Sequence, residues 1–109
     1  VLAEVVAAVR GRAKIVVDGG FCRGTDVVKG IAAGADLVCV GRLYCYALAA
    51  AGAPGVQQML GLLAEEVTIA LGLLGVRSLD RLDANCLAPA QPVVAPHVHS
   101  AFPLMRGGR

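Results

Sequence analysis

Two stretches of this chain combine glycine with arginine just after a short apolar run: Asp18-Gly19-Gly20-Phe21-Cys22-Arg23-Gly24, and Gly41-Arg42. Glycine lets a backbone turn sharply and come close to a ligand, because no Cβ intervenes. The N–H groups of such a turn, and of a helix that starts there, offer fixed positive charge to an anion. Arginine adds a planar charged fork that matches phosphate oxygens. Either stretch alone reads equally well as an ordinary turn. Their separation, about 20 residues as one crossover requires, favours a shared phosphate site.

Other reactive side chains suggest less. Glu65 and Glu66 are adjacent, so on a helix they point about 100° apart and cannot act as a carboxylate pair. They read as a solvated helix face. His97 and His99 lie among prolines, and two ligands in an extended segment make a poor metal site. The four cysteines, Cys22, Cys39, Cys45 and Cys86, show no CxxC or other metal spacing, so reduced thiols and a cytoplasmic setting are expected. Cys22, beside a positive site, has an alternative reading as a reactive thiol of lowered pKa. Tyr44 and Tyr46 are expected to pack a short helix against the end of the fold. Asp26 and Lys29 are expected on a helix surface.

The elements that must position the glycine loops alternate. Leu2, Val5, Val6 and Val9 at helical spacing predict a helix end, stopped by Gly11. Ala13 to Val17 is short, β-branched and apolar toward its end, as in a strand covered on both faces of a parallel sheet. Thr25 to Ala33 is helical again, with Gly34 as its cap. Leu37 to Val40 predicts a second buried strand, ending at Gly41-Arg42. Leu43 to Ala51 reads as a short helix, and Pro54 suits the first turn of a longer one that Gly75 closes. Ser78 to Asp83 predicts one further turn with Ser78 as cap. From Ala84 on, Pro89, Pro92, Pro96 and Pro103 break any periodicity, which predicts an extended tail over residues 84–109. Alternation of this kind implies right-handed βαβ crossovers and a parallel sheet. Two strands make no stable sheet with both faces covered, so further strands are expected elsewhere.

Composition narrows the class. The chain has 109 residues, 57% of them hydrophobic and 17% charged, the reverse of the balance that produces disorder. A net charge of +2 with no basic cluster argues against a nucleic-acid partner. A mean hydropathy of +0.70 is high for so short a chain and predicts a fragment, or a subunit buried in a homo-oligomer. No membrane span is expected from Val56 to Val76, because Glu65 and Glu66 at its middle would each cost roughly 2.5–3.5 kcal/mol in a bilayer. The start, Val1-Leu2-Ala3-Glu4, has neither a basic leader nor a cleavage site. It also lacks Met, so an upstream part is expected to have been removed.

The run Asp18-Gly19-Gly20-x-x-Arg23-Gly24-Thr25-Asp26-Val27, then Gly34-Ala35-Asp36 and Gly41-Arg42, resembles the carboxyl-terminal quarter of the FMN-dependent α-hydroxy acid oxidases and dehydrogenases. The likeness continues through Tyr46-Ala47-Leu48-Ala49, Glu65-Glu66 and Leu74-Gly75-Val76-Arg77-Ser78-Leu79, and covers residues 1 to about 83. It implies an α/β fold, with residues 1–83 forming the last two βα units, strands 7 and 8 with their helices, of a (β/α)8 TIM barrel. Loops after the seventh and eighth strands of such barrels often hold a phosphate together with a short extra helix.

The resemblance implies oxidation of an L-2-hydroxy acid to a 2-oxo acid, with hydride passing from the α-carbon to flavin N5. It also implies an FMN-phosphate site at Asp18, Gly19, Gly20, Phe21, Cys22, Arg23, Gly41 and Arg42. The family usually carries arginine where this chain has Cys22, which would remove one charge-assisted contact. The family's catalytic histidine lies in a Ser-Asn-His-Gly-x-Arg-like segment that this sequence does not contain, so no catalytic residue is expected here. The 109-residue piece alone is therefore expected to be inactive. Two alternatives remain at this stage. One is another phosphate-gripping barrel, IMP dehydrogenase-like or isopentenyl-isomerase-like; the other is a non-catalytic truncated barrel.

Overall fold

The structure, a computed structural model, describes residues 1–90. His97, His99 and most of the expected tail lie outside them. Five main elements follow one another: α1 (Leu2–Val9), β1 (Val16–Asp18), α2 (Gly24–Ala32), β2 (Leu37–Cys39) and α3 (Arg42–Leu74). Two single turns of 3-10 helix, Leu79–Arg81 and Ala84–Cys86, come after them. The second turn stands inside the stretch expected to be extended. There Asp83 accepts the Asn85 N–H at 2.8 Å, a local bond that favours a turn at this spot.

β1 and β2 pair in parallel, with Val16 opposite Leu37, Val17 opposite Val38 and Asp18 opposite Cys39. α2 forms the connection between them, as the alternating pattern predicts. Pairing starts later than the apolar run at Ala13, because Asp36 occupies the groups ahead of it. Its carboxylate accepts the Lys14 ammonium at 2.7 Å and the Ile15 N–H at 2.8 Å. Its own N–H donates to the Ile15 carbonyl at 2.8 Å. The strands are thus tied together just before the ladder begins.

α3 is one helix by extent and two by geometry. Ala51 (φ −150°, ψ 23°) and Gly52 (φ 61°, ψ −147°) are non-helical and break it, which is where the sequence predicts one helix ending and Pro54 opening the next. Gly75 closes the second part in the left-handed region at φ 69°. The turn at Leu79–Arg81 follows as expected, except that the Ser78 side chain makes no capping bond.

The core lies where α2 meets α3 and the sheet. Val28, Ala32, Ala35, Met59 and Ala70 are its buried apolar residues, so it is built from small side chains. One backbone position decides how closely the two helices approach. Gly24 begins α2 directly against α3, and a Cβ there would stand 2.6 Å from the Val67 amide nitrogen and collide with the Glu66 backbone and Cβ. The outer faces are apolar as well. Val16 is 56% and Leu37 55% exposed, on neighbouring strands, and Leu73 of α3 is 84% exposed.

Candidate functional site

Because both strands run the same way and end in register, their carboxyl ends open side by side. A cavity of about 220 Å³ lies there, lined by Asp18, Gly19, Gly20, Phe21 and Cys22 of one loop and by Gly41, Arg42 and Leu43 of the other. Gly19 (φ 114°) and Gly20 (φ 83°) hold left-handed conformations that disfavour side chains. A Cβ at Gly19 or Gly41 would meet nothing within 4 Å, so this backbone is open to an incoming group. No side chain caps α3 at Gly41, and the first N–H groups of a helix need a partner from outside it. Arg42, the first residue of α3, adds the guanidinium.

Seven of the eight residues expected at the phosphate site therefore meet in one cavity. Arg23 does not join them. Its Nε donates to Glu66 Oε1 at 2.7 Å and its second guanidinium nitrogen lies 2.6 Å from the same oxygen. Glu66 Oε2 accepts the Gly24 N–H at 2.6 Å. The Arg23 guanidinium, and after it the Gly24 N–H, hold the Glu66 carboxyl below the usual carboxylate range. Reading Glu66 as a solvated helix face is corrected here: it is the link between α3 and the first loop. The physical reason is Gly24, whose missing side chain admits α3 close enough for that contact.

Asp26 is likewise more than a helix surface. Its Oδ2 accepts the Cys22 N–H at 3.2 Å and the Arg23 N–H at 3.1 Å, which fixes the end of the glycine loop on the start of α2. Its other oxygen lies 3.7 Å from the Lys29 ammonium. Tyr44 and Tyr46 do not pack inward in this chain; they are 45% and 67% exposed. Cys22 is a free, half-buried thiol in the cavity wall.

A second hollow, an apolar groove of about 240 Å³, runs between α2, α3 and the segment around Cys86 and Leu87. Lys29 is the one charged residue of its lining, and it has no glycine turn. The strand-end cavity joins open backbone to a cation beyond the ends of two parallel strands, and that combination suits a dianionic phosphate of modest size.

Comparison with known proteins agrees with this chemistry. Residues 1–89 match the model of the FMN-dependent dehydrogenase family. The chain is 55% identical over 78 residues to a 4-hydroxymandelate oxidase of Amycolatopsis orientalis, covering 72% of this chain and 22% of that protein. It is 42% identical over 86 residues to an L-lactate oxidase of a Nostoc species, covering 79% of this chain and 24% of the relative. Among solved structures it superposes on mandelate oxidase with (S)-2-phenylpropionate at a TM-score of 0.70 and 54% identity, over 72% of this chain and 24% of the other. A mandelate oxidase variant with a monooxide FMN adduct matches at the same score. The chain spans about a quarter of the length of these relatives.

An α/β flavoenzyme family with the TIM-barrel fold is the class that fold and site define. The chain belongs to the FMN-dependent dehydrogenases, enzymes whose cofactor is FMN.

Proposed function

We propose that this chain supplies the phosphate end of the FMN site in an enzyme that oxidises an L-2-hydroxy acid to a 2-oxo acid. In this reading β1 and β2 are strands 7 and 8 of the barrel. The observation that carries it is the meeting of Gly20 and Arg42 in one cavity beyond the ends of two parallel strands. Open backbone at Gly19 and Gly41, with the left-handed turn at Gly20, receives the phosphate oxygens, the uncapped start of α3 adds its N–H groups, and Arg42 balances the charge. FMN held there supplies the two-electron acceptor for the substrate. This chain's own part is to bind and orient.

The Ser-Asn-His-Gly-x-Arg-like segment is not in this sequence, so in this reading the group that takes the substrate's hydroxyl proton is not among residues 1–90. The isolated 109-residue chain is therefore expected to show no turnover of glycolate, lactate or mandelate. An IMP dehydrogenase-like or isopentenyl-isomerase-like barrel is disfavoured by the family match over residues 1–89.

α3 is long and apolar enough by length and composition to cross a membrane. Its break at Ala51 and Gly52 and the Glu66 ion pair within it favour a helix that packs on an α/β unit. The exposed Val16, Leu37 and Leu73 favour burial against further barrel units or a second subunit.

The test compares FMN with riboflavin, which differs only by the phosphate. Flavin fluorescence titration of the full chain should show FMN bound at least tenfold more tightly, the equivalent of about 1.4 kcal/mol. Equal affinity for the two flavins would refute the phosphate site.

A further inference from the structure

We propose that Glu66 is a positioning residue for the phosphate loop, holding Arg23 and Gly24 against α3 so that residues 19–22 meet the anion in one conformation. The proposal rests on the phosphate-site reading above and deepens it. A loop containing Gly19 and Gly20 has wide conformational freedom, and left alone it would have to be ordered by the ligand at an entropic cost. In this chain the ordering is already built in. The N–H groups of Cys22 and Arg23 are committed to Asp26, and that of Gly24 to Glu66. The downstream end of the loop is thus fastened to two carboxylates on two different helices.

The same contacts settle what Arg23 does. Glu66 Oε1 accepts the Arg23 Nε–H and lies in ion-pair contact with its terminal nitrogen, a charge-assisted contact focused on one oxygen while Oε2 takes the Gly24 N–H. Arg23 is a strut between the loop and α3, and it neutralises a carboxylate that would otherwise repel a nearby dianion. The connection is short. Cys22 and Leu43 line the phosphate cavity on one side and, on the other, the hollow that contains Arg23 and Glu66. That pair of residues borders both the strut and the ligand site.

The test is the ratio of FMN to riboflavin affinity, read by flavin fluorescence in the full chain. General destabilisation would weaken both flavins together, whereas a displaced phosphate loop weakens FMN alone. Glu66→Ala should lower the ratio roughly tenfold, the scale of losing a hydrogen bond to a charged group. Glu66→Gln keeps an acceptor for one partner and should recover part of it. If Glu66→Ala does not fold, Glu66→Gln and Arg23→Leu are read in the same way, each with a lowered ratio. An unchanged ratio in these variants overturns the proposal while leaving the phosphate site intact. A raised ratio in Glu66→Ala also overturns it, since Arg23 would then be a ligand that Glu66 restrains. A wild-type chain with no preference for FMN overturns the site and the proposal together.

Discussion

Asp18 and Cys39 are opposite one another as the last pair of the parallel ladder, and each is followed almost at once by glycine. Strands that end in register release their loops at the same height. The two glycine turns therefore face a common space, although a whole helix separates them along the chain. Residues at the carboxyl ends of parallel strands form the ligand sites of α/β folds for this reason.

Arg42 is the cation of that space. Replacing it with alanine should weaken FMN by about 1.5–3 kcal/mol, the worth of a charge-assisted hydrogen bond, and leave riboflavin affinity unchanged. Titration of both flavins against the variant checks this. Loss of riboflavin binding as well would assign Arg42 to the fold.

Cys22 lines the same cavity, at the position where the family resemblance implies an arginine. Cys22→Arg should therefore tighten FMN, roughly tenfold for one added charge-assisted contact. Its dependence on salt should also steepen, because a further charge pair forms in contact with solvent. Unaltered affinity would show that the position cannot deliver a side chain to the phosphate.

Gly24 allows α2 and α3 to meet. Gly24→Ala should cost about 1–3 kcal/mol, the usual range for forcing extra volume into a packed contact. The Cβ would strike backbone that cannot swing aside. Gly61, where a Cβ would meet nothing within 4 Å, is the control: Gly61→Ala should be neutral or slightly stabilising, since alanine is the better helix former. Thermal unfolding of the two variants decides between them.

Acid should weaken both carboxylate ties. Arg23, then the Gly24 N–H, lower the Glu66 pKa below its ordinary 4.5. Lys14, then the Ile15 N–H, lower that of Asp36 below 3.8. A depressed folded-state pKa gives stability that is present above the unfolded value and lost as pH falls through the folded one. Glu66→Gln should thus be less stable than the parent at neutral pH, with the difference closing as pH falls below 4.5 and through the lowered folded-state pKa. At the other extreme, Lys14 is raised above 10.5 by Asp36, so its contribution holds below that value and disappears as pH climbs past the folded pKa. Thermal melts across the pH range read out both limbs.

Much of this architecture was legible in the chain itself. Val16-Val17 and Leu37-Val38 are too short and too continuously apolar for amphipathic helices, and the Gly52-x-Pro54 break divides α3 as its residues imply. Asp18 to Cys22 with Gly41 and Arg42 could be grouped because one crossover has a fixed length. Glu66 and Arg23 escaped because their contact joins distant elements: Arg23 looked like a ligand from its neighbours in sequence, and Glu66 like a surface charge from its helical position. The signal available was Gly24, since a glycine opening a helix after an arginine can mark a place where another backbone comes close. Tyr44 and Tyr46 stand exposed in this chain, because the barrel end expected to cover them is not among its elements.

The uncovered side chains of Val16 and Leu37 have a practical consequence. A two-stranded ribbon with free edges and an oily face is a template for stray β-pairing. At high concentration this segment should self-associate along that ribbon, and making Val16 polar should reduce the effect, so its flavin titrations are read from dilute protein.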